Sequence, residues 1–406
     1  MSDRRTTEFQ RGNELSYGKR DGATIRDFYG RNVRRMVTNC TNGLSSVGNR
    51  EQMRGSNKKL GKALSISAAG IATMVGLSAC GSSTNSTSAA SAGSTTVPSQ
   101  TSVSSTINIA YLSFAVANSY DAPMLAAAQA EAADNHAKIT VFDANNSPQT
   151  QYSQLQNVIS SGQYQGIIVQ PIYGTALTGL VSKAIAKGIK VVNIDQILGP
   201  NLSTAQPQVK GLSANVTFVP TEMGKQLGQL TVQACASKNL NPCNVGYLYD
   251  IKASALDVAI NKGFTEATAN SPVKVVVQGQ DFFTPAGGLK AAEDMLTAHP
   301  NLNAIVGSDQ GIEGAVQALS SQNKNGKVLL VGYGGSAAGI AGVKSKTWYG
   351  TVMQDPASEG RIGVKDLVAA IRSNKSFGGL NPLAALPNKG VVTSSNVSQF
   401  TAEWPG

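Results

Sequence analysis

The sequence predicts an α/β protein whose parallel sheets are covered by helices on both faces. Short β-branched runs alternate with longer amphipathic stretches from Ile107 onward, and such alternation marks repeated strand-helix-strand units. Composition agrees: 41% hydrophobic, 14% charged and 42 Gly suit a folded α/β chain and exclude a disordered or fibrous one. A chain of 406 residues is also long enough for more than one core, since domains run to roughly 100 to 200 residues each.

Taken in order, the expected strands are Ile107 to Leu112, Ile139 to Phe142, Gly166 to Val169, Val191 to Ile194, Val245 to Tyr249, Val273 to Val277, Ala304 to Val306 and Val328 to Val331. Between them, sets such as Tyr152, Leu155, Val158, Ile159 and Leu227, Leu230, Thr231, Ala234 recur at helical spacing. Units of this kind form either a closed barrel or two open sheets, and periodicity does not separate the two.

The strand ends carry polar or aromatic groups: Asp143, Gln170, Asp195, Asp250, Asp281 with Phe283, and Asp309. Ligands of open α/β sheets sit outside the carboxyl ends of the strands, so this crown is a candidate binding site. Any single Asp of the set could equally be a helix N-cap. Asn118, Tyr120 and Asp121 follow the first strand at the start of an Ala-rich helix. An amide, a phenol and a carboxylate together suit hydroxyl recognition, while Asp121 with Pro123 also reads as a plain helix start.

Other chemistries have little support. Gly332-Tyr333-Gly334-Gly335-Ser336-Ala337 matches the G-x-G-x-x-A form of a dinucleotide loop, but it comes late in the chain and the next useful acid is Asp355. A tight strand-to-helix turn is the simpler reading. The two histidines, His136 and His299, fall at expected helix ends without ligand spacing to another His or Cys. No Gly-x-Ser-x-Gly elbow accompanies them, so neither metal catalysis nor a hydrolase triad is expected, and no cofactor. The net charge of +10 divides unevenly: residues 1 to 79 hold 14 Lys and Arg against 6 Asp and Glu, and residues 80 to 406 hold 20 against 18. The body is nearly neutral, which argues against a nucleic-acid partner.

Lys58, Lys59 and Lys62 precede fifteen mostly apolar residues, Ala63 to Leu77, and then Ser78, Ala79 and Cys80. A basic start, a short apolar run and small residues make a secretory signal, shorter than the ~20 residues of a transmembrane helix. Leu77-Ser78-Ala79-Cys80 resembles a bacterial lipobox, which implies lipidation of Cys80. Residues 80 to 105 then read as a Ser/Thr-rich tether. Residues 1 to 57 are expected to be either the product of a misassigned start, since Met53 would give a signal of 27 residues, or a disordered cytoplasmic extension. In an exported protein, Cys235 and Cys243, eight apart across a polar turn, are expected to form a disulfide.

Several segments in order resemble the type I periplasmic sugar-binding proteins, the ribose-binding-protein group: Phe114 to Leu125, Phe142 to Pro148, Val191 to Gln196, Leu296 to Pro300, Val331 to Gly335 and Val352 to Pro356. The resemblance covers residues 106 to 395 and implies two Rossmann-like lobes joined by a three-segment hinge rather than a barrel. Residues 106 to 214 with 355 to 390 would form the N-terminal lobe, and 215 to 354 with 391 to 406 the C-terminal lobe. The hinge crossings would lie near Ser213 to Asn215, Gln354 to Pro356 and Lys389 to Val391.

Carried over by position, Asn118 would bond a hydroxyl, Tyr120 would offer an aromatic face, Asp195 would accept from two hydroxyls, Phe283 would be the opposing wall and Gln354 would reach the ligand. Phe114, Asp121, Gln196 and Asp309 complete the expected set. The departures bear on ligand identity. Gln196 stands where the ribose group has Arg, Val258 to Ile260 occupy the place of a second Arg, Gly334 replaces an Asp, and Ser308 replaces an Asn. The charged set that would specify ribose is largely gone. The implied function is a lipid-anchored, extracytoplasmic solute-binding component of an ABC importer, a monomer that delivers a sugar or polyol to a permease and its ATPase. A sensor presenting its ligand to a receptor uses the same architecture. A transcription regulator would need a helix-turn-helix where the lipobox stands, and no enzyme constellation is present.

Overall fold

The computed structural model describes residues 106–406. The expected extension, the signal at 58 to 79, Cys80 and the tether lie outside the described residues. Each lobe is an open, doubly wound sheet. In spatial order the first runs Gly378–Leu380, Ala214–Thr217, Lys190–Asp195, Gly166–Val169, Ile107–Ser113, Ala137–Asp143, all parallel, and the second Val391–Thr393, Gly350–Met353, Leu329–Gly334, Ala304–Ser308, Cys243–Tyr249, Val273–Gln280, parallel except for Val391–Thr393.

In the first sheet, β1 is Ile107–Ser113, β2 Ala137–Asp143, β3 Gly166–Val169, β4 Lys190–Asp195 and β5 Ala214–Thr217. The chain then enters the second sheet with β6 (Cys243–Tyr249), β7 (Val273–Gln280), β8 (Ala304–Ser308), β9 (Leu329–Gly334) and β10 (Gly350–Met353). It returns for β11 (Gly378–Leu380) and crosses a third time to β12 (Val391–Thr393). The eight expected strands are all present. The structure adds β5 and β10 to β12, each of three or four residues.

Because both faces are covered, the central strands read as continuous apolar runs. In β1, Ile109 and Tyr111 join Met124, Ile168, Ile194 and Leu367 on one face. Ala110 and Leu112 join Leu155, Val169 and Val181 on the other. Adjacent residues thus serve opposite layers, as the period of two requires. The connecting helices begin on local signals. In α2 (Pro148–Ser161) the Ser147 hydroxyl accepts from Thr150 N at 3.2 Å, and α6 (Pro285–Ala298) starts with Thr284 accepting from Gly287 N at 3.0 Å. Each has Pro in its first turn, where the missing N–H costs nothing.

The crossings fix the lobes. β5 pairs with β4 in register Val192 to Ala214 through Asp195 to Thr217, so all of it belongs to the first sheet. A boundary at 214/215 would cut this strand, and the chain leaves the first lobe after Thr217 instead. A short strand without a long apolar run gave no sequence signal for that extension. The return passes from Met353 to α9 (Pro356–Ser373), which packs on β3, β4 and β5, and the third crossing lies between Leu380 and Val391. Cys235 lies in the last turn of the helix α4 (Pro220–Ala236), Cys243 opens β6, and their sulfurs stand 2.06 Å apart. Among the described residues no helix is long and apolar enough to cross a membrane.

Candidate functional site

The carboxyl ends of both sheets face one cleft. Its first-lobe floor is organised by one amide. Gln170, fully buried at the end of β3, donates through Nε2 to Asp121 Oδ1 and, at 3.1 Å, to Asp195 Oδ2. Its Oε1 accepts from Phe114 N at 3.0 Å. Gln151 of α2 donates to Gln170 O at 2.8 Å and to Ser113 O at 3.3 Å, and so ties the ends of β1 and β3. Asp195 ends β4 at φ 65°, a left-handed conformation in which Asp is one of the better tolerated side chains. The Tyr120 hydroxyl donates to Asp195 Oδ1 at 3.4 Å.

Burial pushes the Asp195 carboxyl up to about 7, with the bonds from Gln170 and Tyr120 opposing the rise. Asp121 is also raised well above the usual carboxylate range, by burial first and the Asp195 charge second. It opens the helix α1 (Asp121–Asp134), and its carboxylate serves Gln170, so the plain cap reading does not describe it. Glu359 of α9 lies close behind, raised by burial and then by Asp195.

The second lobe supplies the roof. Phe282 and Phe283 both take φ 57°, and Asp281 holds the turn by accepting from Phe283 N at 2.9 Å. Two consecutive aromatic residues in the left-handed region cost free energy that the surrounding fold must supply, a pattern concentrated at binding sites. Behind them, burial and then the Asp257 charge raise Asp250 to about 7, and Asp281 is raised by burial and Asp250. The Tyr333 hydroxyl donates to Asp250, and the Ser308 hydroxyl donates to Asp281 at 3.2 Å.

Floor and roof meet. The rings of Phe114 and Phe283 lie edge to face with centroids 6.3 Å apart, and Gln310 Nε2 donates to Ser119 Oγ at 2.9 Å. The Tyr120 ring stands 5.4 Å from that of Trp404, which the C-terminal tail delivers. Trp404 Nε1 donates to Gly334 O at 2.7 Å, and neighbouring Glu403 accepts from Ser358 N at 2.7 Å at the start of α9. The tail therefore touches both lobes.

Of the expected site residues, Phe114, Asn118, Tyr120, Asp121, Asp195, Gln196, Phe283 and Gln354 line this cleft. Asp309 does not. It is wholly buried inside the second lobe, where it accepts from Thr351 Oγ1 and Ser336 N, each at 2.7 Å. The preceding Ser308 caps the helix α7 (Asp309–Ser321) and faces the cleft, so Asp309 points inward. The Gly-rich turn makes that possible: a Cβ at Gly332 or Gly339 would come within 2.2 Å of the Asp309 carboxylate. These glycines make room for a carboxylate, and no phosphate role is needed to explain them.

Residues that sequence reasoning did not assign include Trp404, Tyr333, Gln310, Phe218, Leu256 and Ile260. Ile260 falls in the segment that lacks the expected arginine, and its apolar side chain lines the wall. Trp404 is one of only two tryptophans in the chain. Among the described residues, no group of three or more His, Cys, Asp and Glu is arranged to hold a metal ion.

The model of the periplasmic binding protein domain matches residues 109–375. The chain is similar to the D-xylose-binding periplasmic protein of Escherichia coli (30% identical, covering 55% of this chain and 67% of that one). It is also similar to the ribose import binding protein of Bacillus subtilis (25%, covering 58% and 72%). These relatives are binding proteins, not enzymes. A solute binding protein from Actinobacillus succinogenes with bound D-allose shares the fold at TM-score 0.62 and 23% identity, covering 72% of this chain and all of that one. One from Mycobacterium smegmatis with bound glycerol matches at TM-score 0.62 and 21% identity, covering 74% and 99%.

Proposed function

The chain belongs to the periplasmic binding protein family, and on that premise we propose that it captures a sugar or polyol in the interlobe cleft and hands it to a membrane permease driven by an ATPase. The observation that carries this reading is the convergence of Asp195, Tyr120 and Phe114 from one lobe with Phe283, Gln354 and Trp404 from the other. Carboxylates and amides bond hydroxyl groups, and flat rings cover C–H faces, which together suit a polyhydroxylated ring or chain. The names of the xylose- and ribose-binding relatives support the same class.

Capture works by differential affinity. A solute held by the first-lobe floor gains Phe283 and Trp404 only when the lobes meet, so it stabilises the closed arrangement by those added contacts. The Phe114–Phe283 ring contact and the Gln310–Ser119 hydrogen bond belong to that closed arrangement. We further assign the protein to the outer face of the cell membrane, anchored by lipid at Cys80 through the tether of residues 80 to 105. An anchor of that kind raises the local concentration of the loaded form at its permease.

A thermal-shift panel of pentoses, hexoses and polyols on the full-length protein tests the ligand class. A solute present at 100 times its dissociation constant stabilises the native state by ~2.7 kcal/mol, a shift plainly visible in melting. Asp195→Ala should weaken the responding solute by about 10- to 100-fold, the worth of a hydrogen bond to a charged group. Unchanged affinity in that variant would remove Asp195 from the site. Incorporation of labelled palmitate in cells, abolished by Cys80→Ala, tests the anchor.

A further inference from the structure

The cleft offers many acceptors and few free donors. Its lining contains no Lys, Arg or His. Most of its donors are already committed: Tyr333 to Asp250, Ser308 to Asp281, Trp404 to Gly334, Gln310 to Ser119 and Tyr120 to Asp195. The uncommitted donors are the amides of Asn118, Gln196 and Gln354. Against them stand the carboxylates of Asp195 and Asp121, whose shared donor is a single amide. Behind Asp195, the buried Glu359 Oε2 and the Tyr111 hydroxyl have no hydrogen-bond partner among the described residues.

Among the described residues no Lys, Arg or His forms an ion pair with these carboxyls. The two ion pairs found among the described residues, Lys225 with Glu266 and Lys290 with Asp294, are exposed and lie on the second lobe. Arg361, on the same helix as Glu359, is exposed and turned toward Ser358 at 3.4 Å. A sugar hydroxyl both donates and accepts, and a site short of donors leaves its accepting side unmet. An ammonium donates three hydrogen bonds and accepts none. Rings also favour a cation, and Phe114, Tyr120, Phe283 and Trp404 line the same cleft, with Tyr120 bonded to Asp195 and its ring 5.4 Å from that of Trp404.

We propose that the ligand carries a protonated amine: an aminated sugar or polyol, its ammonium seated against Asp195 among the aromatic rings and its hydroxyls on Asn118, Gln196 and Gln354. The Ile260 side chain in the wall fits the same ligand, because an arginine there would repel it. This inference rests on the sugar or polyol reading above and narrows it.

Matched pairs separate the two. The full-length protein is titrated calorimetrically with each common aldohexose and its 2-amino analogue, with sorbitol and 1-amino-1-deoxysorbitol, and with choline as a cation of few hydroxyls. The expected result is that one aminated member binds at least about tenfold tighter than its hydroxyl partner, the worth of one charge-assisted bond. In Asp195→Asn the ratio within that pair should collapse toward one, a readout that a general loss of stability does not imitate. A hydroxyl member binding as tightly as its amine overturns the inference and leaves the sugar reading standing. Choline binding more tightly than every aminated sugar keeps the cationic site and overturns the sugar reading. A panel in which nothing binds overturns both.

Discussion

Gln170→Met tests the logic of the cleft floor directly, because methionine keeps the volume of glutamine and removes both ends of its amide. In the parent, Gln170 donates to Asp121 and Asp195 and accepts from Phe114 N. Hydrogen bonds to charged groups contribute about 1.5 to 3 kcal/mol each and neutral ones about 0.5 to 1.5. With both carboxyls ionised, the variant should therefore lose about 3.5 to 7.5 kcal/mol. Protonation limits that loss, and this sets its pH dependence. The Gln170 bond lowers the proton affinity of Asp195, so removing it lifts a carboxyl already at about 7 still higher. A carboxyl raised in the folded state adds stability below the ordinary carboxylate range and loses it as pH rises through the folded value. The deficit of Gln170→Met should accordingly be about 1 to 2 kcal/mol at pH 5 and should be larger at pH 8, growing toward its full size as pH passes the variant's raised folded value. Urea titrations followed by tryptophan fluorescence at both pH values measure it, since Trp404 sits at the site and Trp348 in the second core. A deficit equal at the two pH values, or below about 1 kcal/mol at pH 8, would refute the assigned role of Gln170 as holder of two ionised carboxylates.

The parent itself should melt at higher temperature at pH 5 than at pH 8, because Asp195 and Asp250 are raised to about 7 and Asp309 and Asp355 to about 6, all four chiefly by burial. Gly339→Ala should cost about 1 to 3 kcal/mol in chemical denaturation, since its Cβ would meet a buried carboxylate oxygen at 2.2 Å with little room to move. Trp404→Ala should lower stability by about 3 kcal/mol and weaken whichever solute the protein binds, read by melting and by calorimetry on the same sample. Cys235 and Cys243 should be found as a cystine by peptide mass spectrometry; replacing both with serine should cost about 2 to 3 kcal/mol, the loop-closure value for the eight-residue separation.

The sequence carried the fold where segments were long and apolar. Strands β1, β3, β4 and β6 are buried on both faces, so most of their residues are Ile, Val, Leu, Tyr or small ones, and the pattern is visible without a structure. β5 (Ala-Asn-Val-Thr) and β10 (Gly-Thr-Val-Met) are just as buried, but four residues hold too little periodicity to stand out. β11 and β12 have three residues each and are strands only because a neighbour's edge pairs with them. Elements defined by their partners leave no local trace.

The site divides along the same line. Crown residues at the ends of long strands were legible, and Asp195, Tyr120 and Phe114 come together because β1 and β4 flank β3 in the sheet. What the sequence withheld was direction. Ser308 and Asp309 are neighbours at the end of β8, yet one hydroxyl faces the cleft and the next carboxylate turns into the lobe, where glycines 332 and 339 clear a place for it. Polarity at a strand end is therefore ambiguous by one residue, the step that reverses a side chain. Trp404 shows the complementary limit. Nothing local in Ala-Glu-Trp-Pro marks a binding residue; its position follows from backbone bonds that Ala337 and Ala338 donate to Trp404 and Pro405, and from Glu403 reaching Ser358. A side chain placed by its tail's contacts with both lobes is sensitive to how those lobes sit. That makes Trp404 the position where ligand affinity and the closed arrangement should be most tightly coupled.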